Sequence, residues 1–345
     1  MSDHPPLQLA VVGCGAVARL YHLPAVAEAD DVELVALVDP ALERARALAA
    51  SSGAAHALGN VDALAGLVDA AIVATPNRLH APVATSLLEA GIHVLVEKPL
   101  ARTTAECDAI AAASAAAGRV VAVGHDFRWF PLAHFARSLF ASGMLGQVGH
   151  VDLQQSQTGS WPSETTSAFS REESGGGVLI DFGVHMVDLL AWWLGDPRVV
   201  AYRDDSAGGV ETDCEVDLEL PEGGTGRIVL SRRRELRDTF VVRCERATVE
   251  IGIFEPATLR ITLADGGRLD GNVPSPDFAR APLRWVFGRQ LRDFADAVRS
   301  GTEPLVTLAD GRRAVTFVEA CYGVRTPLRH PWDWPEALAA VQERS

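Results

Sequence analysis

The sequence predicts a chain of two parts: an α/β domain on a parallel sheet, then an α+β domain with a large open, mostly antiparallel sheet. Residues 7–124 supply the first observation. Near-continuous apolar runs (Leu9–Val12, Glu33–Val38, Ala70–Ala74, His93–Val96 and Val120–Val123) alternate with Ala/Leu-rich stretches of helical length at Ala41–Ala50, Ala81–Ala90 and Thr104–Ala117. Strands apolar on both faces and separated by helices indicate a parallel sheet covered on both sides. Thr103, Thr104 and Glu106 fit a helix start, and Gly118 fits its end. The second observation is a change of grammar after about Arg128. Helices are expected near Pro131–Ser142 and, after the Gly175–Gly177 turn, at about Ile180–Leu194. Around them run alternating strands at Val148–Gln157, Val199–Arg203, Cys214–Leu220, Thr225–Ser231, Phe240–Cys244, Ala247–Gly252 and Thr258–Thr262. Strand following strand without helices makes a mostly antiparallel sheet with helices on one face. Two helices near Leu283–Ser300 and Asp310–Tyr322 follow. Length agrees: 345 residues bury two cores comfortably. The division expected is 1–127 and 128–345, with the last helices able to pack back on the first domain.

Charge and cysteine usage narrow the function. A formal net charge of −14 repels nucleic acid and anionic membrane surfaces, so neither is an expected partner. Arg232-Arg233-Arg234 is the one dense basic spot; with Glu235 and Asp238 beside it, a solvated strand face is expected. The polar Met1–Pro6 is not expected to act as a secretory signal, and Ala109–Gly124, broken by Ser114 and Arg119, falls short of a membrane span. Five scattered cysteines (14, 107, 214, 244 and 321) without a CxxC pair suit reduced thiols, hence a cytoplasmic protein.

Gly13-Cys14-Gly15-Ala16-Val17-Ala18 follows the first strand and opens a helix. Gly13 permits the tight turn, Gly15 lets backbone approach a pyrophosphate, and Ala18 allows close packing of helix on strand. The unsatisfied N–H groups at the start of the helix then face the anion. Asp39 ends the second strand at the distance at which a carboxylate reads the ribose 2′-hydroxyl. A carboxylate there repels a 2′-phosphate; Pro40 and Ala41 follow, and Arg44 comes a turn later beside Glu43. The first domain is therefore expected to be of the dinucleotide-binding, Rossmann type, with NAD favoured over NADP.

Thirty of the thirty-one basic residues are arginine, and Lys98 is the single lysine. It stands in Glu97-Lys98-Pro99 at the carboxyl end of a strand, the edge where open α/β sheets bind ligands. An ammonium is compact and shifts its pKa readily, so arginine does not replace it. Further on, Asp181, His185 and Asp188 stand at i, i+4 and i+7, one helical face, with Phe182, Met186, Leu189, Leu190 and Trp193 largely opposite. A carboxylate beside His185 would orient and tune it near neutral pH. Asp188 is as well placed for a structural part as for a catalytic one. Two ligands at i and i+4 fall short of a zinc set, and no HExxH or Cys/His cluster occurs, so no metal is expected.

These pieces together resemble the Gfo/Idh/MocA family, the glucose–fructose oxidoreductase and inositol dehydrogenase relatives, over nearly the whole chain. The matching segments are Gly13–Ala18, Thr75-Pro76-Asn77 with His80, Glu97-Lys98-Pro99, and Gly176-Gly177 leading to Asp181-Phe182-Gly183-Val184-His185. The resemblance implies hydride transfer between nicotinamide and a secondary alcohol or ketone of a sugar, sugar derivative or cyclitol. It implies that Lys98, Asp181 and His185 form the catalytic set. Lys98 then steadies an alkoxide and His185 relays the proton. Cofactor contacts are expected from Gly13, Gly15, Ala16, Val17, Asp39, Thr75, Pro76, Asn77, His80, Glu97 and Lys98. Arg128 is expected in the pocket wall, although His125 and Asp126 before it depart from the family pattern. Trp161, in a Ser/Thr/Gly-rich segment, is either a substrate cover or a loop anchor. The resemblance also implies a homodimer or homotetramer through the second sheet, whose broad face needs covering. Two other readings keep the cofactor: a redox-assisted glycosidase, and a non-catalytic dinucleotide-binding regulator, for which the acid–base set is superfluous.

Overall fold

The computed structural model of the protein describes residues 5–158, 166–252, 258–271, 278 and 281–328. In the first part, strands β1 (Leu7–Val12), β2 (Val32–Val38), β3 (His56–Leu58), β4 (Ala70–Val73), β5 (His93–Glu97) and β6 (Val121–Gly124) form one sheet in the order β3-β2-β1-β4-β5-β6. Every pair is parallel. This is the doubly wound arrangement, with its switch point between β1 and β4. The strands are buried on both faces, which explains their continuous apolar runs. Thr103 caps the helix Thr104–Ala117 through its hydroxyl, and Gly118 ends it in the left-handed region at φ 62°. β3 escaped the sequence reading because three half-exposed residues carry no periodicity.

The second part is a nine-stranded sheet over β7 (Val148–Ser156), β8 (Arg198–Asp204), β9 (Asp213–Glu219), β10 (Thr225–Ser231), β11 (Thr239–Cys244), β12 (Ala247–Gly252), β13 (Thr258–Leu263), β14 (Arg268–Gly271) and β15 (Arg325–Pro327). Its order is β14-β13-β12-β11-β7-β10-β9-β8-β15. The β7–β10 and β8–β15 pairs are parallel; the others are antiparallel. The inner face meets the helices Pro131–Ala141 and Val184–Leu194 in an apolar core, where Trp193 sets its ring 4.8 Å from Phe240. The outer face is not apolar. Arg203 pairs with Asp217 at 2.6 Å, Arg227 with Glu215 at 2.8 Å and Arg260 with Glu250 at 3.4 Å.

The helix Pro282–Ser300 returns to the first part and buries Phe287, Leu291 and Phe294 in the cluster under β1 and β2. Thr307 bridges Ala122 beside β6, so the two parts share a seam. One helical stretch, 171–194, is apolar and long enough to cross a membrane by composition, but 83% of its most apolar window is buried within the fold.

Candidate active site

Two helices that supply residues to the site each contain a π turn. The helix after the glycine loop has one at Ala18–His22 and the helix after Gly175–Gly177 has one at Leu179–Gly183. Such single wide turns re-aim side chains and concentrate at functional sites. The first places His22, whose Nε2 lies 2.7 Å from Glu97 Oε1 with both groups out of water. The second separates Asp181 from His185.

The glycine loop fits a dinucleotide. Gly13 sits at φ 95°, and a β-carbon there would collide with the Ala74 carbonyl. Beside Gly15 nothing lies within 4 Å, so its backbone is open to a bulky anion. The N–H groups of Gly15, Ala16 and Val17 precede the first intrahelical bond, from Arg19 N to the Gly15 carbonyl at 3.1 Å, and such groups are the donors a helix start offers an anion. Asp39 is held at the end of β2: its Oδ2 accepts from Cys14 N at 3.0 Å and its Oδ1 from Ala41 N at 2.8 Å. Arg44 approaches the same carboxylate at 3.4 Å. Thr75 Oγ1, after β4, is buried without a hydrogen-bond partner.

Lys98 reaches across the seam. Its Nζ donates to the Asp181 carbonyl at 2.8 Å and to Asp181 Oδ1 at 3.1 Å. Arg232 closes on the other carboxylate oxygen, Oδ2. Burial pushes the Asp181 carboxyl up, but Lys98 and Arg232 outweigh it and hold it below the usual aspartate range. Arg232 therefore belongs to the site and not to a solvated face. The neighbouring Glu235 and Asp238 misled the sequence reading; Asp181, its partner, is 51 positions away.

Asp181 and His185 do not share a hydrogen bond among the described residues. The acidic side chain beside His185 is Asp126, with Oδ1 3.4 Å from Nδ1. Phe127 stacks on the imidazole at 4.1 Å and 12°, and His125 meets its edge at 5.8 Å. Burial, then Lys98 and His125, hold His185 well below the ordinary histidine pKa, so the ring is neutral. Asp188 takes the structural part. It accepts from Arg128 Nε at 2.8 Å and Nη2 at 2.7 Å, and Arg128 also pairs with Asp310 at 3.0 Å. This corrects the pocket-wall expectation for Arg128, which is 1% exposed and has its guanidinium spent on carboxylates behind the cleft.

His80 and Glu97 are braces. His80 is buried between the turns after β4 and β5, with Nδ1 2.7 Å from the Pro99 carbonyl and Nε2 2.8 Å from the Thr75 carbonyl, and as a neutral ring it donates to one of the two. Burial pulls its pKa down against those two acceptors. Glu97, beneath Lys98, receives His22 and the Lys98 N–H. Burial raises its carboxyl, yet His22, Lys98 and His80 bring it below the ordinary value. Asn77 crosses the seam and donates to the Ser174 carbonyl at 2.8 Å. Glu211, absent from the sequence reading, accepts from Gly177 N at 2.9 Å and Leu179 N at 3.1 Å and so caps the start of the Asp181 helix. Gly177 has no room for a side chain, because a β-carbon would overlap the Glu211 backbone. Trp161 lies outside the described residues.

Comparison with known proteins shows the family and the fold. The family model described as oxidoreductase family, NAD-binding Rossmann fold (GFO_IDH_MocA), matches residues 7–125, and the GFO/IDH/MocA C-terminal domain model matches residues 133–250. The chain belongs to the Gfo/Idh/MocA oxidoreductase family. D-glucoside 3-dehydrogenase of Escherichia coli is 34% identical over 56% of this chain and 56% of its own length. The chain thus spans about half the length of that relative, and 52% of another that is 39% identical. Rhizopine catabolism protein MocA of Rhizobium meliloti is 27% identical over 91% of this chain and 93% of its own. Among solved structures, the aldose-aldose oxidoreductase of Caulobacter crescentus complexed with glycerol superposes with a TM-score of 0.83. It is 27% identical, over 92% of this chain and 97% of that one.

Proposed function

We propose that the chain is a dehydrogenase or reductase that passes hydride between nicotinamide and a secondary alcohol or ketone of a sugar, sugar derivative or cyclitol. The observation that carries this reading is Lys98 Nζ, held by the Asp181 carbonyl at 2.8 Å and by Asp181 Oδ1 at 3.1 Å at the carboxyl edge of the parallel sheet. A bound nicotinamide supplies the hydride acceptor or donor. The ammonium of Lys98 stabilises negative charge as it grows on the substrate oxygen. His185, neutral, is ready to take the hydroxyl proton. Asp181, kept ionised, holds Lys98 in aim and offers an acceptor to a neighbouring hydroxyl. Such closely spaced charged donors and acceptors suit a polyhydroxylated substrate. The D-glucoside 3-dehydrogenase relative supports the same class.

NAD is the favoured cofactor. Asp39, oriented by two backbone N–H groups, accepts from a ribose diol and opposes a 2′-phosphate. Arg44 softens that opposition from 3.4 Å, so the preference is modest. Tighter binding of NADP than of NAD, titrated side by side, would overturn it. Five unpaired cysteines support a reducing, cytoplasmic setting. A homodimer or homotetramer through the ion-paired outer face of the second sheet is part of the same reading; sedimentation as a monomer would remove it. A panel of sugars and cyclitols screened for NADH formation identifies the substrate. On that substrate Lys98→Met is expected to lose about 100-fold or more in kcat; full turnover in this variant refutes the assignment.

A further inference from the structure

His185 is clamped and only half partnered. Phe127 stacks on one face, His125 closes one edge, and Nδ1 is buried with no hydrogen bond although Asp126 Oδ1 is 3.4 Å away. Asp126 begins the short helical turn Asp126–Trp129 directly after β6, and it is as buried as the ring it faces. Two groups able to hold a proton thus face one another in a dry site, beside the lysine at the centre of the cleft.

We propose that Asp126 and His185 work as a single proton-holding pair, in which Asp126 is the positioning residue that lets His185 exchange the substrate proton. This rests on the reading of His185 as the proton relay. A lone imidazole here takes up a proton only by becoming a cation next to Lys98, in a site where burial already opposes it. With Asp126 the charge cancels. In alcohol oxidation the pair starts as carboxylate and Nδ1–H imidazole. The substrate O–H bond breaks, its proton joins Nε2, and the Nδ1 proton passes to Asp126. The hydride on the carbon that bears this hydroxyl would go to a bound nicotinamide, which would supply the two-electron acceptor, and the O–H electron pair closes the carbonyl. The loaded pair is a neutral acid beside a neutral ring. Reduction reverses each transfer.

Electrostatics keeps the loaded form, the one reduction draws on, near neutrality, and the carboxylate form that oxidation needs appears as pH rises through about 8. Burial, then the Glu97 carboxylate, push the Asp126 carboxyl up to about 8, against the pull of Lys98. Tyr21 also feels the Asp126 charge. Lys98 and His125 act on His185 in the same sense as burial. A coupled pair titrates as a unit, with midpoints that belong to neither residue alone.

The test follows both residues by NMR in the full-length wild-type protein without cofactor, using ¹⁵N-histidine and ¹³C-aspartate labels. The expected result is that the Asp126 carboxyl carbon and the His185 ring nitrogens shift with a common midpoint in the mildly alkaline range. In Asp126→Asn the amide donates permanently to Nδ1, and that midpoint disappears from His185. The same variant is expected to lose about 30-fold or more in kcat for oxidation, with KM little changed, while Asp126→Glu recovers part of it. Separate titration of the two residues, or an Asp126→Asn enzyme within twofold of wild type, would overturn the proposal. A common midpoint together with full turnover in His185→Asn would uphold the pairing and sink the relay on which its function rests.

Discussion

Arg128 and Asp188 form a two-point ion pair in which Nε and Nη2 each donate to a different carboxylate oxygen, and both side chains are almost wholly out of water. Asp310 adds a second carboxylate to Nη2; burial raises the Asp310 carboxyl, but Arg128 and the Thr307 hydrogen bonds together bring it below the ordinary value. The cluster joins the turn after β6, the Asp181 helix and the helix Leu308–Gly323. Removing one member strands a buried charge. Arg128→Met is expected to cost about 3–5 kcal/mol in urea unfolding, and Arg128→Met with Asp188→Leu distinctly less than the sum of the single changes. Simple additivity would contradict the pairing.

Arg232 acts on Asp181, and the direction of its effect follows from sign. The guanidinium lowers the Asp181 pKa, so Arg232→Gln raises it toward the ordinary value. Asp181 stays ionised at pH 7, but the acid limb of the pH–rate profile moves to higher pH. A fall of about tenfold in kcat/KM at pH 7 is expected, equivalent to about 1.4 kcal/mol of transition-state stabilisation. An acid limb that does not move argues against this contact.

The two loop glycines separate folding from binding. Gly13→Ala places a β-carbon on the Ala74 carbonyl at a backbone angle that alanine rarely adopts, so reduced stability is expected. Gly15→Ala meets no atom of the protein, and its unfolding free energy is expected within about 0.5 kcal/mol of wild type. Its NAD affinity by calorimetry is expected to drop tenfold or more. Unaltered affinity places the pyrophosphate elsewhere.

Asp126 also leaves a thermodynamic trace. Its native pKa is raised from 3.8 to about 8, so the folded state holds the proton more tightly than the unfolded chain. The resulting stabilisation is complete below about pH 4 and declines as pH climbs through 8, by at most about 1.4 kcal/mol per pH unit. Asp126→Asn removes this slope. Urea midpoints at pH 5, 7 and 9 should therefore converge toward, or cross, those of wild type as pH rises. Parallel curves would mean that Asp126 is ionised in the fold.

How much of this was legible in the sequence depended on distance along the chain. The glycine loop, Asp39 and the parallel strands are local patterns, written within a strand and the turn that follows it. Lys98 was legible because the strand end gave its location and its uniqueness set it apart. Its contact with Asp181, 83 residues on, came from resemblance. Asp126 was read only as a departure from a pattern, since nothing in His125-Asp126-Phe127 states that a helix sixty residues later brings an imidazole to it. Arg232 was assigned by its sequence neighbours, although a folded arginine has a reach of several ångströms and chose a carboxylate on another element. Asp181 and His185 do stand four apart, but an ordinary helical wheel misjudges their relation because the turn between them is wide.

That wide turn has a consequence for evolution by insertion and deletion. A π turn holds one residue more than the α-helical turn it replaces. Loss of a single residue between Leu179 and Gly183 would restore an ordinary helix and rotate everything upstream by about 100° relative to the core-packed segment Val184–Leu194. Asp181 would swing away from Lys98 while His185 and Asp188 kept their places. The helix thus carries two rotational phases, one anchored in the apolar core and one set for the cleft, and the residue added between them keeps the two in step.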